Sequence, residues 1–175
     1  MLRSIAAALA AALALAGCAQ KEAAAPKQAS LDHLQKPGCY TVDLFDPVTV
    51  EDGNGLPEDY ARWLGRWGGG VWNGSWCHEM IVAAVSPQGE VTLYDMHAPS
   101  ETFSAPATVF RRKGRLHEDG SLRFAHGTVV RHYELRDGKL HGWREGDGHG
   151  RLQIVMQRVG AVPLPRARPV RLAKN

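Results

Sequence analysis

The 175-residue sequence is short of the features that usually announce chemistry. It has three cysteines, and Phe, Trp and Tyr together make up 7% of it. There is no Gly-x-Ser-x-Gly elbow, no His-Glu-x-x-His pair and no glycine-rich phosphate loop, which removes the common hydrolase, zinc-protease and nucleotide-binding readings. Ser75 follows a glycine but precedes Trp76 and Cys77, with no base implied beside it. His78 and Glu79 are neighbours, and adjacent strand residues face opposite ways. We therefore expect no catalytic residue, no cofactor and a protein that is not an enzyme. A positive surplus across the body of the chain is missing too. From Cys39 to Val162 there are 13 Lys/Arg against 16 Asp/Glu, a balance that argues against a nucleic-acid partner. The basic surplus sits instead in Pro163–Asn175, with Arg166, Arg168, Arg171 and Lys174 and no acid. Finally, no apolar run reaches the roughly 20 residues that a membrane-spanning helix needs. The longest, Ile5 to Ala16, follows the basic Arg3 and has the dimensions of an export signal.

That run ends in Leu15-Ala16-Gly17-Cys18, a tetrapeptide that resembles the lipobox of bacterial lipoproteins. The resemblance implies cleavage after Gly17 and lipid attachment, with palmitate-type acyl chains, on Cys18. It also implies a membrane-bound address in the cell envelope. Two or three chains on one cysteine hold durably where one binds marginally. Ala19 follows, where sorting to the inner membrane uses Asp, so an outer-membrane lipoprotein facing the periplasm is expected. The competing reading is an ordinary secretory signal that happens to contain a cysteine. The domain plan is then 1–17 signal peptide, 18–38 lipidated tether rich in Ala, Lys, Gln and Pro, 39–162 one domain, and 163–175 a basic Pro-rich tail. That tail could touch anionic lipid or an acidic partner, or simply be solvated.

With Cys18 taken by lipid, Cys39 and Cys77 are left in a compartment that permits oxidation, and a disulfide between them is expected. The alternative is two separate buried thiols.

The body of the chain reads as all-β. Cys39–Leu44 suggests a strand or an extended lead-in. Pro57, Glu58 and Asp59 then open a short helix carrying Tyr60, Trp63 and Leu64 on one stripe. Strands are expected near 71–76, 79–85, 90–96, 107–112, 121–125, 128–135, 139–144 and 152–159, separated by glycine-bearing turns at Pro87-Gln-Gly, Asp119-Gly, Asp137-Gly and the Gly146–Gly150 run. Alternation marks one dry face, for example Val129, Arg131, Tyr133 and Leu135 against Val130, His132 and Glu134. Seven or eight such strands favour a small antiparallel up-and-down barrel, closed so that no edge is left, over a sandwich.

The segment Gly70-Val-Trp72, followed by an apolar strand, a glycine turn and Val91–Tyr94, resembles the opening of lipocalin-like and avidin-like barrels. In those families a Gly-x-Trp begins the first strand. In lipocalins a short helix closes the base and a basic residue near the last strand packs on the Trp. The resemblance implies that Trp72 is that tryptophan, that the helix near Tyr60–Leu64 is the plug, and that Arg158 is the packing base. It further implies a small apolar or amphipathic ligand held in the barrel, with Trp72, Trp76, Tyr94 and Trp143 as candidate lining residues. The same rings suit a packed core equally well. In that case the protein is a structural or assembly lipoprotein acting through an envelope protein partner or the cell wall. Among the eight histidines, His126 and His132 share a strand face but stand too far apart to share an ion, His132 and His141 flank one turn, and His149 lies in the glycine run. No metal site is expected from them.

Overall fold

The computed structural model describes residues 30–39 and 47–160. The signal peptide, Cys18, the tether up to residue 29, most of the expected Cys39–Leu44 strand and the basic tail lie outside the described residues.

Eight antiparallel strands close into a barrel in simple chain order: β1 Gly65–Trp72, β2 Trp76–Val85, β3 Glu90–His97, β4 Thr108–Leu116, β5 Leu122–His126, β6 Val129–Arg136, β7 Lys139–Glu145 and β8 Leu152–Val159. The first strand differs from its expected position. It starts at Gly65, and the 71–76 segment is where β1 turns into β2 through Asn73, Gly74 and Ser75.

The reason lies in Gly68-Gly69-Gly70. The β1–β2 register shifts between Trp67 and Gly70, so β1 carries a bulge there. Gly69 takes φ +69°, a conformation that disfavours side chains, and a Cβ on Gly70 would stand 2.4 Å from the Met156 side chain. Residues five apart on a regular strand face opposite ways. The extra residue restores the phase, so Trp67 and Trp72 both point inward.

The base of the barrel is dry. The four-residue helix α1, Glu58–Ala61, leads into Trp63 and Leu64, which lie buried with Trp67, Val82, Val85, Val91, Leu116, Leu140 and Met156. Trp67 donates its indole N–H to the Trp63 carbonyl at 3.0 Å. Arg158 of β8 covers the Trp67 ring, with 4.2 Å from guanidinium to centroid, and donates to the carbonyls of Leu64 and Arg62. The expected pairing of Arg158 with Trp72 is therefore corrected. The helix, the tryptophan and the capping arginine are all present, but the tryptophan is Trp67 in Gly65-Arg66-Trp67. A cation on an indole face contributes about 0.5–2 kcal/mol, and here it also satisfies carbonyls at the end of α1.

Outside the barrel, the segment from Ser30 to Cys39 lies against β1. Lys36 N–H donates to Gly69 O at 2.7 Å, and Leu34 is buried. A disulfide joins Cys39 to Cys77 on β2, with 5.6 Å between their Cα atoms. Closing a loop of this length removes denatured-state freedom worth roughly 4 kcal/mol in the chain-entropy account.

Candidate functional site: a buried charged layer at the mouth

At the end of the barrel opposite α1 the inward-facing side chains change character. Along β3 the inward positions run Val91, Leu93, Asp95, His97, and along β2 they run Val82, Met80, His78, Trp76. β4 adds Arg112, β6 adds Arg131 and Tyr133, and β7 adds Arg144, which lies opposite Arg131 in the ladder. Alternation thus carries polar and charged side chains into the barrel on five strands, β2, β3, β4, β6 and β7. Asp95 and His78 are fully buried, and His97, Arg131 and Arg144 nearly so.

Asp95 is the hub. His78 Nε2 lies 3.4 Å from its Oδ1, while His97 Nε2 and Arg131 Nη2 each lie 3.4 Å from Oδ2, and Arg112 Nε is 3.6 Å away. Tyr133 Oη is 3.3 Å from His78 Nε2. Burial alone would raise the Asp95 carboxyl, but the contact with His97 and the charge of Arg131 outweigh it and hold the group well below the carboxylate range. His78 moves the other way from a protonated partner. Burial first, then His97, Arg131 and Arg144, push it well below an ordinary imidazole, and His97 is lowered mainly by burial. Both rings are therefore neutral at neutral pH.

The aromatic residues frame this layer. Arg144 stands 5.0 Å from the Trp76 ring and 5.9 Å from Trp72, and Arg131 stands 5.6 Å from Phe124. Above them two loops meet. Phe103, in the loop following β3, stacks on Trp76 at 4.8 Å, His149 of the Gly146–Gly150 run meets Phe103 edge-on at 5.0 Å, and Asp147 of that run binds Arg144.

Three guanidiniums face two carboxylates, Asp95 and Asp147, with both imidazoles neutral. One positive charge is left over in a nearly dry layer. The donors are in surplus as well: Nε and Nη1 of both Arg131 and Arg144, Nε of Arg112 and the indole N–H of Trp72 are buried without a hydrogen-bond partner, against the two oxygens of Asp95. Such groups are costly to leave unsatisfied. An anionic oxygen group supplies both what the charge and what the donors lack.

His78, Asp95 and His97 also bring ligand atoms within 4.8 Å of one another, close enough to share a cation. The surroundings oppose that use. Arg131 Nη2 sits 3.4 Å from the His97 nitrogen as well as from Asp95, so a guanidinium already occupies the side from which an ion would be held. The cluster fits a counter-ion to arginine better than a metal centre.

Of the candidate lining residues, the structure brings Trp72 and Trp76 together at this layer. Tyr94 and Trp143 are elsewhere, on the outer face. Trp143 pairs with His132 and Gln153, stacks on His132 at 3.6 Å and lies 4.3 Å beneath Arg151, while Tyr94 pairs with Ile81 and Arg111. Their strand parity excludes them from the interior. The histidines scatter likewise. Glu134, not His132, faces His141 across the turn, His126 ends β5, and His149 sits in the Gly146–Gly150 run. His78, Asp95, His97, Arg112, Arg131 and Arg144 escaped the sequence reading. The signal available was a charged residue in a dry alternation, plain at Arg131 within Val129, Arg131, Tyr133, Leu135.

No protein-family description, curated protein or solved structure matches the chain.

Proposed function

We propose that the protein is a lipid-anchored envelope lipoprotein, tethered through Cys18 and facing the periplasm, whose lipocalin-like barrel binds a small amphipathic ligand by its anionic group and performs no catalysis. The observation that carries this reading is the pair Arg131 and Arg144, both more than nine-tenths buried, with four guanidinium N–H positions unpartnered beside the Trp72 indole N–H. The apolar part of the ligand would lie against Trp76 and Phe103, where the two loops meet. It has no place deeper down, because Trp67, Met80, Leu93, Leu122, Tyr133 and Ile154 occupy the base and middle of the barrel.

Trp72 and Trp76 flank Arg144, so their emission reports on the layer. Titrating the purified protein with short-chain and medium-chain carboxylates, phosphate monoesters and neutral amphiphiles of matched length should give a saturable change with the anionic compounds alone. Each hydrogen bond to a charged group contributes about 1.5–3 kcal/mol, so Arg144→Met should weaken binding roughly 10-fold to 100-fold. Equal responses to neutral and anionic amphiphiles would overturn the anionic assignment.

A second reading, contact with a protein partner, draws its support from a different part of the barrel.

A further inference from the structure

The barrel is closed unevenly. β4 pairs with β3 along its length from Thr108 to Arg115, yet with β5 it forms two ladder pairs, Arg115↔Arg123 and Leu116↔Leu122. Continuing that ladder would pair Gly114 with Phe124 and Lys113 with Ala125. Instead Phe124–His126 follow β6 alone. A Cβ on Gly114 would still lie 3.2 Å from the Arg123 carbonyl and 3.4 Å from the Phe124 Cβ, so the strands stay side by side at Gly114, and the ladder is absent from Lys113 onward. From Lys113 to Thr108, β4 therefore has a ladder partner on one side and a free edge on the other. The stretch is open to solvent: Phe110 is 39% exposed, and Arg111, Lys113, Ala125 and His126 are exposed. His126 reaches towards the gap, with its ring 6.2 Å from that of Phe110.

A row of unpaired backbone N–H and C=O groups on an exposed strand is a template for another strand, and proteins blunt it with a bulge, a proline, a cover or charged side chains, lysine above all. Here the guard is charge of one sign, which repels a basic or a like strand and leaves an acidic one free to add. Arg111, Lys113 and Arg115 point outward from β4, and among the described residues none of the three is in an ion pair; Lys113 only donates to Thr92 Oγ1 at 2.8 Å. Inward, Arg112 lies over the Phe110 ring at 4.2 Å. The chain's own C-terminal end does not suit this edge, since Pro163–Asn175 is basic and carries no acid. A phosphate or a lipid headgroup would meet the charge but not the alternating donors and acceptors. A peptide backbone meets both.

We propose that the β4 edge from Thr108 to Lys113 is a docking site for an extended acidic segment of a protein partner, added as a strand in the gap between β4 and β5. The alternation of β4 sets its pattern: acidic side chains on the outer face, toward Arg111 and Lys113, and apolar ones on the inner face, toward Phe110.

The test uses the purified protein and a ten-residue peptide of alternating Glu and Val, followed by fluorescence anisotropy and by amide hydrogen exchange. Binding in the micromolar range is expected, with new protection confined to 108–113 and 124–126. Arg111→Glu with Lys113→Glu should weaken it at least 10-fold. The same peptide N-methylated at alternate residues keeps its charge but loses backbone donors, and should also bind at least 10-fold more weakly. The Arg144→Met protein should bind the peptide as well as the unaltered one. Equal affinity for the N-methylated peptide, protection elsewhere, dependence on Arg144, or no binding below millimolar concentration would each overturn the proposal.

Discussion

The base and the mouth of this barrel are built from the same strands and obey opposite rules. At the base, among the described residues, the inward positions are apolar except for Arg158, which has two carbonyls and an aromatic face, and the indole N–H of Trp67 is satisfied by Trp63 O. At the mouth the inward positions carry three arginines, two histidines and an aspartate, several of their donors have no partner, and the β4–β5 ladder has stopped. The two ends differ as a stabilising core differs from a site. One end has all its interactions made within the chain, and the other keeps some in reserve.

That contrast can be broken most forcefully at the base. Trp67→Ala removes the ring on which α1, β1 and Arg158 converge, and should destabilise by about 3–5 kcal/mol, read from denaturant midpoints. Reducing the disulfide, or Cys39→Ser with Cys77→Ser, should take about 4 kcal/mol by the same measurement if the chain-entropy account holds. Arg158→Met should remove about 2 kcal/mol, through the lost cation–π contact and the carbonyls left at the end of α1.

The mouth should answer differently. Arg131→Met would leave the buried Asp95 without its close guanidinium. Arg144 pairs instead with Asp147 of the Gly146–Gly150 run, a carboxylate partly open to water, so Arg144→Met strands no fully buried charge and should leave stability within about 1 kcal/mol of the parent. An unfolding midpoint that falls as far as for Trp67→Ala would make the two ends equivalent and erase the contrast.

The pH response sharpens it further. His78 and His97 are held below the ordinary imidazole value of 6.5, so the unfolded chain binds protons before the folded one does. Stability from this source is fully present above that value and is lost as pH falls below it. Asp95 is depressed as well, so its contribution is present above the ordinary carboxylate value of 3.8 and is lost as pH falls below that. Melting temperature should therefore decline from about pH 6.5 downward and again below about pH 4. His78→Gln with His97→Gln should flatten the first decline and leave the base-dependent stability unchanged.

Much of the fold was legible because glycine turns separate the strands and several of them alternate clearly. Two strands carry register shifts, β2 between Val82 and Ala84 and β1 between Trp67 and Gly70, and β1 is the instructive one. Gly68-Gly69-Gly70 erases alternation in β1, so the sequence offers two tryptophans five apart and no means of knowing that a bulge makes both face inward. Gly70-Val-Trp72 therefore looked like the start of the first strand, and Arg158 was matched to the wrong ring. The disulfide was accessible from the cysteine count together with the expected export. The mouth cluster was half legible. Arg131 stood in a dry alternation, and Asp95 and His97 continued the Val91, Leu93 phase. What the linear text lacks is the register that sets His78 against His97 and Arg131 against Arg144. Trp143 and Tyr94 failed for the converse reason, since aromatic character alone does not reveal a strand face.

The central claim is that the mouth holds guanidinium donors ready for an anionic ligand, Arg144 foremost, and that Arg144 is not needed to hold the barrel together. Its most direct test is the melting temperature of the unaltered protein and of the Arg144→Met protein, each with increasing concentrations of a medium-chain carboxylate. A ligand bound only by the folded state adds about 2.7 kcal/mol at 100 times its Kd. The account predicts a saturable rise for the unaltered protein, and for the variant a similar ligand-free melting temperature with a rise that needs at least about 10-fold more carboxylate. A variant that gains as much at the same concentrations, or an unaltered protein that gains nothing, would contradict it.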